Sequence, residues 1–283
     1  MRRDGRTPDS ETRACGELHM NWYTGDTTYD TLLALAFVIV ALTVIGASFI
    51  QTPYGRFASD NYGVSLDPRL GWFLMEFPAT IFFLYFYFQG PNAFEPFPLF
   101  ILFVWVVHYA NRGWLMPALM RVPKGQKSSF SLMVVMIGWV VTSLHGYLNA
   151  VWASTYSPLV GWDAFTQPAV IAGIVIYYVA FFLNLQSDHI VRNLRTREEV
   201  EKGIRKYRMP QGGLFKYVTN PSYFTELVFW FGFALMNWSL AGVYILAISA
   251  ANLIPRAIAT QQWYKEKFDD YPPERKILIP RVW

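Results

Sequence analysis

Residues 31–50 read TLLALAFVIVALTVIGASFI, twenty positions without a single charge. That is the length an α-helix needs to cross the hydrocarbon core of a bilayer. The 283-residue chain around it keeps the same character, with 53% hydrophobic and 16% charged residues and a mean hydropathy of +0.22. A soluble domain carries roughly 25% charge. Twenty-four Lys and Arg against 20 Asp and Glu could not solvate a soluble surface this apolar, which excludes disorder, a coiled coil and an ordinary soluble enzyme. A single cysteine, Cys15, excludes a disulfide framework and a cysteine-rich metal site.

Working outward, similar windows fall at 71–88, 98–120, 130–153, 168–187, 222–238 and 239–259. The expected fold is therefore all-α, a multi-pass membrane protein of about seven helices. The last two windows run together at Asn237-Trp238-Ser239, which predicts a tight helical hairpin. Residues 1–30 form a polar leader, and 31–283 read as one domain whose C-terminal half, 184–283, carries most of the polar motifs. The leader lacks an Ala-x-Ala-like cleavage site, so the first span reads as a retained helix. The connections 89–97 and 154–167 hold no Lys or Arg, whereas 189–216 and the tail are rich in both. Seven spans put every basic connection except the leader on one face, which is expected to be cytoplasmic.

Ionisable groups inside spans are costly and mark function by default. Glu76 lies in WFLMEFPATIFFLYF; buried in an apolar wall such a carboxyl is expected to be protonated, a hydrogen-bond donor, the alternative being an interfacial Glu reaching back to headgroups. Tyr109 and Arg112, in HYANR, stand three apart on one helical face, although alone they also suit an aromatic belt and a snorkelling cation. In FFLNLQSDHIVRNLRTREE, Asn184, Asp188 and Arg195 fall within about 40° of arc on a helix. That stripe suits a ribose and a phosphate, or equally a salt-bridged helix end.

The densest run is YRMPQGGLFKYVTNPSYFTE, residues 207–226. Gln211-Gly212-Gly213 marks a turn and Asn220-Pro221-Ser222 a helix start. A hydroxyl cap at Ser222 beside Arg208 suggests an anion site, and Glu226 follows on the same face. Arg256, in the last span, needs a phosphate or an ion pair with Asp269 or Asp270; Tyr264 follows two turns later. There is no G-x-G-x-x-G after a strand, no P-loop and no G-x-S-x-G elbow. The histidines His19, His108, His145 and His189 show no metal-ligand spacing, so no metal is expected.

These residues resemble the steroid 5α-reductases, or 3-oxo-5α-steroid 4-dehydrogenases. WFLMEFP, HYANR, the run 207–226, FGFALMNWSL and FDDYPPERKILIP match that family's pattern in order, covering most of the chain beyond Tyr54. The resemblance implies seven membrane helices around NADPH and reduction of the Δ4 bond of 3-oxo steroids. It implies that Glu76 and Tyr109 hold the 3-keto oxygen, with Trp72 against the steroid. Tyr54, Arg112, Asn184, Asp188, Arg195, Tyr207, Arg208, Ser222, Glu226, Arg256 and Tyr264 would line the cofactor. The implied partners are a progesterone- or testosterone-like substrate and the lipid bilayer, with no nucleic acid. A bacterial inner membrane and an endoplasmic reticulum both suit a cofactor mouth on the cytoplasmic side. Met75, Ala110-Asn111 and Thr260-Gln261-Gln262 depart from the family pattern, which bears on substrate preference. Membrane enoyl-CoA and sterol double-bond reductases share parts of these motifs, as do the isoprenylcysteine methyltransferases, which use S-adenosylmethionine. The Glu76 and HY-x-x-R motifs favour the steroid reductases. A transporter would show repeated halves with matching broken helices, and none is visible.

Overall fold

The computed structural model describes residues 23–47, 49, 57, 63–124, 130–204 and 206–283. Most of the leader, the end of the first predicted span and Tyr54 lie outside the described residues.

The helices are α1 (Thr27–Ala47), α2 (Pro68–Tyr87), α3 (Pro96–Tyr109), α4 (Met116–Leu119), α5 (Leu132–Val151), α6 (Pro168–Arg192), α7 (Arg197–Glu201), α8 (Pro221–Asn237) and α9 (Leu240–Lys267). A π-helical turn, Ala110–Leu115, fuses α3 to α4, and a second, Trp152–Tyr156, extends α5. Six helices among the described residues are long and apolar enough to cross a membrane. The 17-residue α8 is shorter but runs between the same two ends of the bundle. Near its start Asn220 bonds the Ile277 carbonyl of the tail, and at its far end the Asn237 carbonyl accepts from Trp152.

Local chemistry explains the starts. Proline occupies the first helical position of α2, α3, α6 and α8, where its missing N–H costs nothing. Asp67, Ser131 and Ser239 accept backbone hydrogen bonds as N-caps of α2, α5 and α9. The expected hairpin between α8 and α9 is present: Trp238 turns the chain in a left-handed conformation (φ 45) and Ser239 starts the next helix. Pro78 and Pro255 sit inside α2 and α9, as neighbouring helices permit in a membrane bundle.

The main packing pairs are α6 with α8, α2 with α5, and α9 against α8 and α1. An aromatic core of Phe83, Trp105, Tyr177, Trp230 and Phe233 links α2, α3, α6 and α8. The connections sort to two ends. At one, strands β1 (Ser65–Leu66) and β2 (Phe130–Ser131) pair antiparallel, Lys124 N–H reaches the Val200 carbonyl, and Val218 bridges Lys276 of the tail. At the other, Asn92 bonds Ser154, Phe97 bonds Val160, and Tyr156 donates to Asp26. The basic connections thus meet at one end.

Candidate active site

Four helices bring charged and polar groups together inside the bundle, toward its basic end. Arg112 Nη2 stands 3.3 Å from Glu226 Oε2 of α8, and its Nε 3.8 Å from Glu76 Oε1 of α2. The guanidinium also lies 4.7 Å from the centroid of the Trp72 ring, a cation–π contact. Gly113 makes room for this approach: a Cβ there would stand 3.3 Å from the Glu76 Cβ. Arg112 and Gly113 sit in the π-helical turn, a feature frequent at functional sites.

Tyr109 is the last residue of α3, directly before this turn. Arg112 reaches α2 and α8, while the Tyr109 hydroxyl stands 3.4 Å from His145 Nδ1 on α5. Tyr109 still lies within the electrostatic reach of Glu76 and Glu226.

The stripe on α6 is shorter than expected. Asn184 donates to the Ser222 carbonyl (2.8 Å) and to Thr225 Oγ1 (3.0 Å), and Asp188 accepts from the Ser222 hydroxyl at 2.7 Å. Arg195 does not continue the stripe, because α6 ends at Arg192 and Thr196 starts α7 with a capping box to Glu199. Instead Arg195 and Arg121 each donate to the other's backbone carbonyl.

Ser222 is likewise no cap. It lies within the first turn of α8 and gives its proton to Asp188, a carboxylate well placed at a helix N-terminus. Arg208 is not beside it: its guanidinium bonds Glu199 at 2.8 and 2.5 Å and the Leu194 carbonyl. That pairing, with the Thr196 N–H, pulls the Glu199 carboxyl down to about 2. The glycine turn does occur, with φ of 83 at Gly212 and 50 at Gly213.

On the α9 side, buried Arg256 donates to the Tyr223 hydroxyl at 3.3 Å and its Cζ lies 5.4 Å from the Phe57 ring. Tyr207 and Tyr264 both pack on Trp263, at 5.0 and 5.2 Å between ring centroids. The predicted residues therefore form a central cluster (Trp72, Glu76, Tyr109, Arg112, Asn184, Asp188, Ser222, Glu226), an α9 group (Tyr207, Arg256, Tyr264) and two arginines, Arg195 and Arg208, at the basic end. Of the departures from pattern, Gln261 ties the helix to the tail through Tyr271 and Arg275, and Met75 gives its carbonyl to Thr142. His145 and Thr225 were not singled out as site residues. His145 carries the same signal as Glu76, an ionisable group inside a span.

The family model described as 3-oxo-5-alpha-steroid 4-dehydrogenase matches residues 128–283. The chain belongs to that family. It is 34% identical over 259 residues to a steroid 5-alpha-reductase of Gossypium hirsutum, covering 91% of this chain and 98% of that protein. It is 35% identical over 261 residues to 3-oxo-5-alpha-steroid 4-dehydrogenase 1 of Rattus norvegicus, covering 89% and 95%. The Mus musculus counterpart is 36% identical over 259 residues, with 89% and 95% covered. The 3-oxo-5-alpha-steroid 4-dehydrogenase match starts at residue 128, whereas Glu76, Tyr109 and Arg112 lie before it, within the wider span shared with these relatives.

Proposed function

We propose that this chain reduces the Δ4 double bond of a 3-oxo steroid to the 5α-reduced 3-oxo steroid, with NADPH as reductant. The observation that carries the reading is the Glu76–Arg112–Glu226 cluster held between helices of a chain in this family, with Tyr109 ending α3 just before the turn that carries Arg112. The donor set fits a dinucleotide. Arg112 and Arg256 suit phosphates, while Asn184, Asp188, Ser222 and Glu226 suit ribose hydroxyls and a carboxamide. Tyr207 and Tyr264 border that region, and Arg195 and Arg208 at the basic end favour the extra phosphate of NADPH over NADH. Tyr54 completes the proposed set.

When bound, NADPH supplies the hydride that adds to C5. Protonated Glu76 and the Tyr109 hydroxyl donate to the 3-oxo oxygen, where negative charge gathers as C5 gains hydrogen. A proton reaching C4 then completes the reduction. Donors fixed in a site that excludes water stabilise such charge without reorganisation, which gives a physical reason to keep a carboxyl within the membrane. Trp72 supplies a wall for the flat apolar substrate, taken here as progesterone- or testosterone-like. Residues 31–283 act as one reductase domain, with the basic end and cofactor mouth facing the cytoplasm by the distribution of Lys and Arg.

The test is oxidation of NADPH by purified protein in detergent, with and without testosterone or progesterone. Steroid-dependent oxidation, with a product heavier by two hydrogens, is the expected result. NADPH binding with turnover only of other activated double bonds moves the substrate class. No NADPH binding overturns the reading.

A further inference from the structure

His145 lies on α5, buried at 8% exposure, with Nδ1 facing the Tyr109 hydroxyl at 3.4 Å. Catalytic hydrogen bonds are commonly this long before substrate binds. Its Nε2 is buried without a hydrogen-bond partner among the described residues. Tyr244 of α9 packs edge-on against the ring, 5.3 Å between centroids, and its buried hydroxyl has no hydrogen-bond partner among the described residues. The polar contact of this imidazole is therefore Tyr109. The other intramembrane histidine near the site, His108, is engaged differently, with Nδ1 on Tyr177 at 3.1 Å and Phe229 and Trp230 around its ring.

A phenol has one proton to give. If His145 Nδ1 is bare, it accepts that proton and turns the Tyr109 O–H away from the substrate. If Nδ1 carries hydrogen, it donates to the Tyr109 oxygen, and the only proton on Tyr109 is directed at the 3-oxo group. That donation also offsets the charge left on the phenol oxygen as its proton shifts toward the substrate. We propose that His145 is a positioning residue for the reduction, its Nδ1–H donating to Tyr109 and so committing the Tyr109 proton to the substrate oxygen. Nothing in histidine spacing along the chain announces this; it follows from α3 and α5 meeting at one hydroxyl. The proposal rests on the steroid-reductase reading of Tyr109.

The experiment measures kcat and KM for steroid and NADPH in His145→Leu, His145→Asn and His145→Gln, each alone and combined with Tyr109→Phe. The Asn amide places a donor where Nδ1 was, whereas the Gln amide extends to the place of Nε2. His145→Leu is expected to lose kcat by about tenfold to a hundredfold, with KM for NADPH within about twofold. His145→Asn recovers most of that loss and His145→Gln does not. In the Tyr109→Phe background His145→Leu brings no further loss, because the two residues act as a unit. Losses that multiply in that background, or equal activity of the Asn, Gln and Leu variants, overturn the proposal. If His145→Leu fails to accumulate, the Asn and Gln variants in both backgrounds decide by the same criterion. A Tyr109→Phe variant with parental activity sinks the underlying reading instead, so the two failures are distinguishable.

Discussion

Arg112 and Arg208 each meet glutamate, one between membrane-spanning helices and the other at the basic end. At the basic end Arg208 grips Glu199 with two short hydrogen bonds, and the Thr196 backbone completes the carboxylate's shell. Within the bundle Arg112 divides itself between Glu226 at 3.3 Å and Glu76 at 3.8 Å, neither contact bidentate. The outer pair, only partly buried at the basic end, has the better geometry where nearby solvent makes geometry contribute less. The buried pair has looser geometry where desolvation is costly and an apolar replacement would often be more stable. A protein selected for stability alone would not place its charges this way. The inner cluster makes sense if its donors and acceptors are shared with bound substrate and cofactor.

Removing Arg112 should break this contrast most strongly. Arg112→Leu leaves the Glu226 carboxylate inside the bundle without its cation, with an expected loss of about 3–5 kcal/mol, seen as a lowered thermal midpoint in detergent, together with lost turnover. Adding Glu76→Gln and Glu226→Gln should restore the midpoint but not the turnover, and recovery of both would mean that the cluster is structural only. Tyr109→Phe comes next. It removes one donor aimed at the substrate oxygen, so kcat should fall about 10²-fold while the midpoint stays in place.

Ser222→Ala deletes the proton that Asp188 accepts at the start of α8. A roughly tenfold rise in KM for NADPH is expected, consistent with losing one hydrogen bond to a charged group, and steady-state kinetics would show it. The smallest effect belongs to the outer pair: Glu199→Gln should leave turnover at saturating NADPH within about twofold. Its pH dependence is more telling. Because Arg208 depresses the Glu199 carboxyl in the folded chain, the pair's contribution is fully present above the ordinary carboxylate value of about 4.3. It is lost as pH falls through about 2. Amide exchange over residues 196–208 should therefore differ between parent and Glu199→Gln near neutrality and converge in acid. A difference that persists unchanged into acid would contradict the assignment.

The spans were legible because length and apolarity are set by the bilayer, and both are written in the local sequence. The α8–α9 hairpin was legible for a similar reason, since Asn237-Trp238-Ser239 interrupts one long apolar run. What escaped depends on events between helices or on a departure from the ordinary helical period. The π-helical turn after Tyr109 is invisible to arithmetic that assumes 3.6 residues per turn. The α6 stripe stops short of Arg195 because the capping box of Thr196 and Glu199, itself written in the local sequence, starts a competing helix. Histidine spacing is a pattern within one segment, whereas the contact of His145 is made with a residue 36 positions away.

The central claim is that the buried cluster exists to polarise a 3-oxo group. The most direct measurement is steroid-dependent NADPH oxidation by the parent protein beside Glu76→Leu and Tyr109→Phe, with folding of each variant followed by thermal unfolding. The account predicts turnover in the parent and a loss of about 10²-fold or more in each folded variant. Two folded variants with parental rates would contradict it.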